Sequence, residues 1–204
     1  MSLPNEFYLL INDIWPILFI FIIVLVSLRI CYFLEKKEKP IFYKEFFSLI
    51  FMIYILLLFE LVTNTDIQGV SNNFIPFKEI MRYRLFSKYF IWNVVGNIII
   101  FVPFGLAVSL YINPNKCTKP LILTFISSLT IECVQMFIGR SFDIDDIILN
   151  CIGGLMGALF YKFLYTIKNN LPKPLQSEGF YNLLTVFLIA IIIIYSLFIG
   201  GFIK

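Results

Sequence analysis

The sequence predicts an all-α fold, a polytopic transmembrane helix bundle of about six spans with an interfacial amphipathic segment. Composition is the first observation behind this. Of 204 residues, 60% are hydrophobic and only 14% charged, and the mean hydropathy is +0.90. A soluble domain carries about a quarter charged residues, so that class is excluded. The second observation is that apolar runs long enough to cross roughly 30 Å of hydrocarbon recur along the chain. Backbone polar groups in lipid must be satisfied within their own segment, so these runs form helices and not open strands.

Taken in order, the spans fall near 14–34, 46–62, 93–112, 119–138, 147–167 and 180–202. The N-terminus lacks the basic region and small-residue cleavage site of a removable signal peptide, so the first span is expected to stay as an anchor. Trp15 and Trp92 sit at span ends, where amphipathic indoles favour the headgroup region. The polar-leaning stretch 63–92 is too short to fold alone. Within it, Phe74–Phe90 interleaves apolar residues with Lys78, Arg82, Arg84 and Lys88, the pattern of an interfacial helix or of a surface loop holding a short one. Cys31, Cys117, Cys133 and Cys151 are scattered without Cys-x-x-Cys spacing, and are expected to be free thiols acting as small apolar side chains.

Orientation follows the Lys and Arg residues near span ends. With the N-terminus outside, ten of the sixteen cations lie inside, including Lys36, Lys37, Lys39 and Lys44, and six lie outside. The segment 1–13 carries no cation, which agrees. The N-out arrangement places the 139–146 loop on the outer side. Nucleic acid is not an expected partner, because a net charge of +3 is small and the lysines follow topology.

The region from Glu132 to Gly157 is not explained by the bilayer. Ionisable groups at membrane depth are costly and persist by pairing or by serving a site. Glu132 and Gln135, three apart, share a helical face. Gly139 breaks that helix and Arg140 follows. Ser141-Phe142-Asp143-Ile144-Asp145-Asp146 then leads into the fifth span, where carboxylates suit a helix N-terminus. Asp146, Asn150, Gly153 (or Gly154) and Gly157 form one stripe, whose glycines permit close helix approach. Asn93 and Asn97 form a stripe opening the third span, above Pro103, which removes a donor and invites a kink. Asn97 is expected to face Asn150 or Glu132, and Glu60 can reach the same region. A purely structural reading stays open, with Arg140 clipping Asp143 or Asp146 and the asparagines acting as interhelical glue.

These residues resemble the VanZ-like family of bacterial membrane proteins. The resemblance rests on Asn97-x-x-x-Phe101-x-Pro103-Phe104-Gly105, on Glu132-x-x-Gln135 with Arg140, and on Asp143-x-x-Asp146-x-x-x-Asn150-x-x-Gly153-x-x-x-Gly157. Asn73-Phe74-Ile75-Pro76-Phe77 is similar to the family's Asn-x-x-Pro-Phe element. It divides one integral-membrane domain into the first two spans (1–69), a VanZ-like core (70–167), and a loop with the last span (168–204). The resemblance implies a multi-pass protein of the bacterial plasma membrane. The best-known members lower susceptibility to teicoplanin, a glycopeptide that binds peptidoglycan precursors outside the membrane. No chemical activity is implied.

With no histidine, Ser-His and Cys-His mechanisms and most zinc sites are absent, and no P-loop or dinucleotide fingerprint occurs. Paired carboxylates can act as acid and base, or hold a divalent cation with Asn oxygens and substrate phosphates. Arg140 can grip a phosphate or carboxylate. The leading expectation is an outward-facing site for an anionic, lipid-linked envelope component such as a cell-wall precursor. Asn97, Glu132, Gln135, Arg140, Asp143, Asp146 and Asn150 would recognise or process it, and the basic 78–88 segment would gather its headgroup. A flippase of an envelope lipid, supported by the Pro103 break, and a non-catalytic partner of a cell-wall complex are the alternatives.

Overall fold

A computed structural model describes residues 3–37, 39–63, 72–112 and 116–202. Lys204, one of the six cations assigned to the outer side, and residues 64–71 of the polar-leaning stretch lie outside the described residues. The described elements are helices α1 (Leu3–Lys36), α2 (Phe42–Thr63), α3 (Lys78–Arg82), α4 (Lys88–Phe90), α5 (Gly96–Ile112), α6 (Thr118–Phe137), α7 (Ile144–Asn170) and α8 (Glu178–Phe202). Strands are absent among the described residues. The one extended pairing is a parallel bridge between Asn73 and Asp143.

Six helices are long and apolar enough to cross a membrane, namely Ile14–Lys36, Phe42–Glu60, Lys88–Ile112, Thr118–Phe137, Ile144–Asn170 and Glu178–Tyr195. The all-α polytopic expectation therefore holds. Their outward faces carry large apolar side chains, such as Ile20 at 63% exposure and Ile194 at 66%, as hydrocarbon requires. Trp15 and Trp92 are both exposed near span ends.

Two compact units make up the chain. One joins Met1–Leu56 to Lys168–Lys204. Its helix α1 ends where Lys37 turns left-handed at φ 54°. Arg29 makes two charge-assisted bonds to Glu45, at 2.7 and 2.6 Å, with its guanidinium over the Tyr32 and Phe33 rings. The Asn182 side chain of α8 accepts the Tyr43 amide at 3.0 Å, and Lys44 pairs with Glu178. A hydrogen bond, an ion pair and the Tyr43 and Tyr181 rings, whose centroids lie 5.5 Å apart, thus tie the starts of α2 and α8 together.

The other unit, Leu57–Ile167, holds every candidate site residue. Its core forms where α7 presents small residues to α5 and α6. A methyl group on Gly153 would collide with the Ile98 carbonyl, and one on Gly157 with the Val102 carbonyl. On the other flank, Gly154 lies against the Thr124 side chain of α6. Hydroxyls inside this core are satisfied locally, Ser109 donating to the Gly105 carbonyl and Thr124 to that of Pro120, both at 2.8 Å.

Two sequence expectations need correction. The third span begins at Lys88, not near 93, because Ser87 caps it by accepting the Phe90 amide at 3.1 Å. It proceeds through a π-helical turn at Ile91–Val95 and then unbroken past Pro103. Nor is Phe74–Phe90 one amphipathic helix. It contains the single-turn helices α3 and α4, separated by a bend where Phe86 takes φ 60°. Lys78 and Arg82 lie in α3, Arg84 in the bend, and Lys88 in the first turn of the span. The segment still exposes Phe74, Ile75, Phe77, Met81, Leu85 and Phe86. Tertiary hydrogen bonds to its backbone, described next, override the helical period.

Candidate functional site

The site is assembled at the α6–α7 turn. Gly139 adopts φ 88°, a conformation glycine reaches without a Cβ penalty, and the Arg140 amide returns to the Gln135 carbonyl at 2.9 Å. Asp143 then caps α7, its Oδ1 accepting the Asp145 amide at 2.9 Å. Glu132, only 2% exposed near the end of α6, accepts the Asp143 amide at 2.8 Å and so fixes where α7 starts. With its amide oriented so that both atoms find complementary partners, Gln135 donates to Glu132 at 3.0 Å and accepts from the Arg140 guanidinium at 2.9 Å. Arg140 joins the cluster through this amide.

A strap from residue 72 onward lies across the turn. The Asn73 amide donates to the Phe142 carbonyl at 2.8 Å, and the Ile144 amide to the Asn73 carbonyl at 3.0 Å. The Asn73 side chain donates to Asp143, the Asn72 side chain accepts the Phe142 amide, and Phe74 stacks on Phe142. Asp145, 1% exposed, accepts the backbone amides of Phe77, Glu79 and Ile80. It therefore caps α3 from a different element. Phe77 sits there at φ 66°, a costly conformation for a bulky residue, held by that carboxylate.

Six of the seven predicted cluster residues meet here: Asn97, Glu132, Gln135, Arg140, Asp143 and Asp146. Asn97 of α5 reaches neither Asn150 nor Glu132. It donates to Asp146 at 2.5 Å. Asn150 lies one turn deeper and donates to Ser128 at 2.9 Å, joining α6 to α7. Asn93 donates to the Tyr89 carbonyl within its own helix, and Glu60 is half-buried in α2. The basic segment only partly converges, because Arg82 pairs with Glu79 at 3.1 Å while Lys78, Arg84 and Lys88 are exposed.

Three of the four carboxylates are thus engaged by backbone amides. Among the described residues, Asp146 alone of the four is held only by a side-chain donor. Burial, with repulsion from Asp145 and Glu79, lifts the Asp143 carboxyl above its ordinary range, partly offset by its bonds from the Asp145 amide and Asn73. Tyr83 stands beside these acids without any sequence signal that singles it out. Its phenol is pushed above the usual value by burial first and then by Glu79, with Asp146 and Asp143 adding repulsion and Arg82 opposing it. It therefore remains a hydrogen-bond donor at neutral pH, within the field of both acids. Among the described residues, no three His, Cys, Asp or Glu side chains are grouped to hold a metal ion.

Comparison with known proteins extends this. The VanZ/LLP1 family model matches residues 46–165, more than half of the chain and every residue of the cluster. The chain belongs to the VanZ/LLP1 family. This VanZ/LLP1 member is also similar to Protein VanZ of Enterococcus faecium, at 27% identity over 115 residues. The match covers 56% of this chain and 66% of that protein, so it spans just under two thirds of the relative's length. No solved structure matches the chain.

Proposed function

We propose that this VanZ/LLP1 protein lies in the bacterial plasma membrane with its N-terminus outside. Its α6–α7 face binds the anionic headgroup of a lipid-linked envelope component, and this lowers susceptibility to teicoplanin-type glycopeptides. The observation that carries the reading is Asp145 capping α3, which fastens a basic, apolar-tipped strap beside the turn bearing Arg140. Glu132, Asp143 and Asp145 are engaged by amides, so they serve as scaffold. Cationic reach then falls to Arg140, with Lys78, Arg84 and Lys88 exposed on the strap and the span that follows. Guanidinium is the side chain best suited to bidentate phosphate recognition. Asp146, Asn97 and the Tyr83 phenol line the same place and orient the ligand.

The test is drug susceptibility of cells expressing variants shown to be inserted. Arg140→Ala removes protection, Arg140→Lys retains part of it, and Asp146→Asn, which keeps an acceptor for Asn97, leaves most of it. Complete loss in Asp146→Asn with ligand binding intact would move the assignment to acid–base chemistry at that carboxylate. Unchanged protection in both Arg140 variants would sink the headgroup site. The non-catalytic partner reading draws on the same amide network, and it predicts tolerance at Arg140 with sensitivity on exposed helix faces.

A further inference from the structure

A groove of about 480 Å³ runs between α6 and α7, and every residue lining it is apolar. On α6 it extends from Leu121 through Phe125 to Leu129, which are spaced four apart and so share one stripe. On α7 it reaches from Ile144 to Leu155, a rise of about 16 Å. Phe125 and Ile152 in its walls are 47% and 42% exposed, so the groove is open to the surroundings of two membrane-crossing helices.

Its upper end decides what it fits. Phe142 and Ile144 both line the groove, and Asp143 stands between them in sequence, with Arg140 two residues before Phe142. An apolar channel therefore starts at the residues that carry the polar cluster. The groove opens beside two membrane-crossing helices, so a lipid's hydrocarbon chain meets it without leaving the bilayer while its headgroup stays at the α6–α7 turn. We infer that the groove seats one hydrocarbon chain of the anionic lipid whose headgroup lies at the α6–α7 turn, so that head and tail are recognised by one continuous surface. This rests on the headgroup reading above for the identity of the lipid, though the groove can be tested without it.

The experiment uses the full chain in phosphatidylcholine nanodiscs with phosphatidic acid bearing a diazirine on one acyl chain. Diacylglycerol with the same chain is the headgroup control. Photolabelled residues are mapped by mass spectrometry. Labelling by phosphatidic acid is expected at Phe125, Leu129 and Ile152 several-fold above that at Phe163, an exposed position farther along α7. Filling the groove with Ile148→Trp, or with Leu129→Trp should the first fail to fold, is expected to abolish that excess. Groove labelling no higher than at Phe163 and indifferent to either filling variant overturns the inference, whether ordinary boundary lipid, a second copy or another part of the chain is the cause. Equal groove labelling by both lipids, unaltered by Arg140→Ala, supports a chain site and overturns the anionic headgroup reading instead.

Discussion

Asp145 shows how one buried carboxylate can hold a segment distant in sequence. It accepts three backbone amides of the strap, and no other side chain in the cluster does as much. Asp145→Ala should destabilise the protein by about 3 kcal/mol, since buried donors would be left without an acceptor. Hydrogen exchange at the Phe77, Glu79 and Ile80 amides should accelerate first, with Asp145→Asn intermediate. Asp143 makes a second prediction. Its carboxyl lies above the ordinary range in the folded loop, so the folded state binds that proton more tightly than the unfolded chain. Its contribution is present below the ordinary carboxyl value of about 4 and is lost as pH rises through the raised one. Thermal midpoints should fall over that interval, and Asp143→Asn should flatten the slope. At this scale the sequence was informative about residue type but not about partner. Glu132 and Gln135 share a face because of their spacing, whereas the bonds from Asn97 to Asp146 and from Asn150 to Ser128 depend on how three helices meet. Tyr83 carried no signal in a segment read as basic and apolar.

Helix α7 is designed on two sides, with small residues set against α5 and a capped acidic start facing the strap. The stripe through Asn150, Gly153 and Gly157 was readable from helical spacing, because close approach needs small residues at regular intervals. Which neighbour it would meet was not readable, since Ile98 and Val102 look like any lipid-facing residues. Gly157→Val should cost about 1–3 kcal/mol by driving a side chain into the Val102 carbonyl. Gly179→Ala, with nothing within 4 Å of the added methyl, should be neutral or gain up to about 1 kcal/mol. Thermal stability in detergent separates the two. For the strap, sequence leaves an interfacial helix and a loop holding a short one both open, and the structure has the loop. Its composition suits an amphipathic helix, but backbone bonds to Asp145, Phe142 and Ile144 outbid local propensity and leave a single helical turn.

All six spans are legible in the sequence alone, because the energetic demand of hydrocarbon is written in continuous apolar runs. The sidedness of the molecule is a prediction of charge distribution. In a background with the four cysteines replaced by serine, Ser141→Cys should react with a membrane-impermeant maleimide on intact cells. Lys39→Cys should react only after permeabilisation. The reverse pattern would turn the polar face toward the cytosol and remove any direct part in extracellular drug defence. The joining of strap and turn has one further consequence. Asn73 and Asp143 stand 70 residues apart, so the ribosome delivers the first long before its counterpart exists. During synthesis the strap must wait, unclasped, while two later spans, Lys88–Ile112 and Thr118–Phe137, are threaded into the bilayer. A nascent chain halted before residue 143 would have its first four spans and no working face, so the site closes only as the fifth span begins to be made.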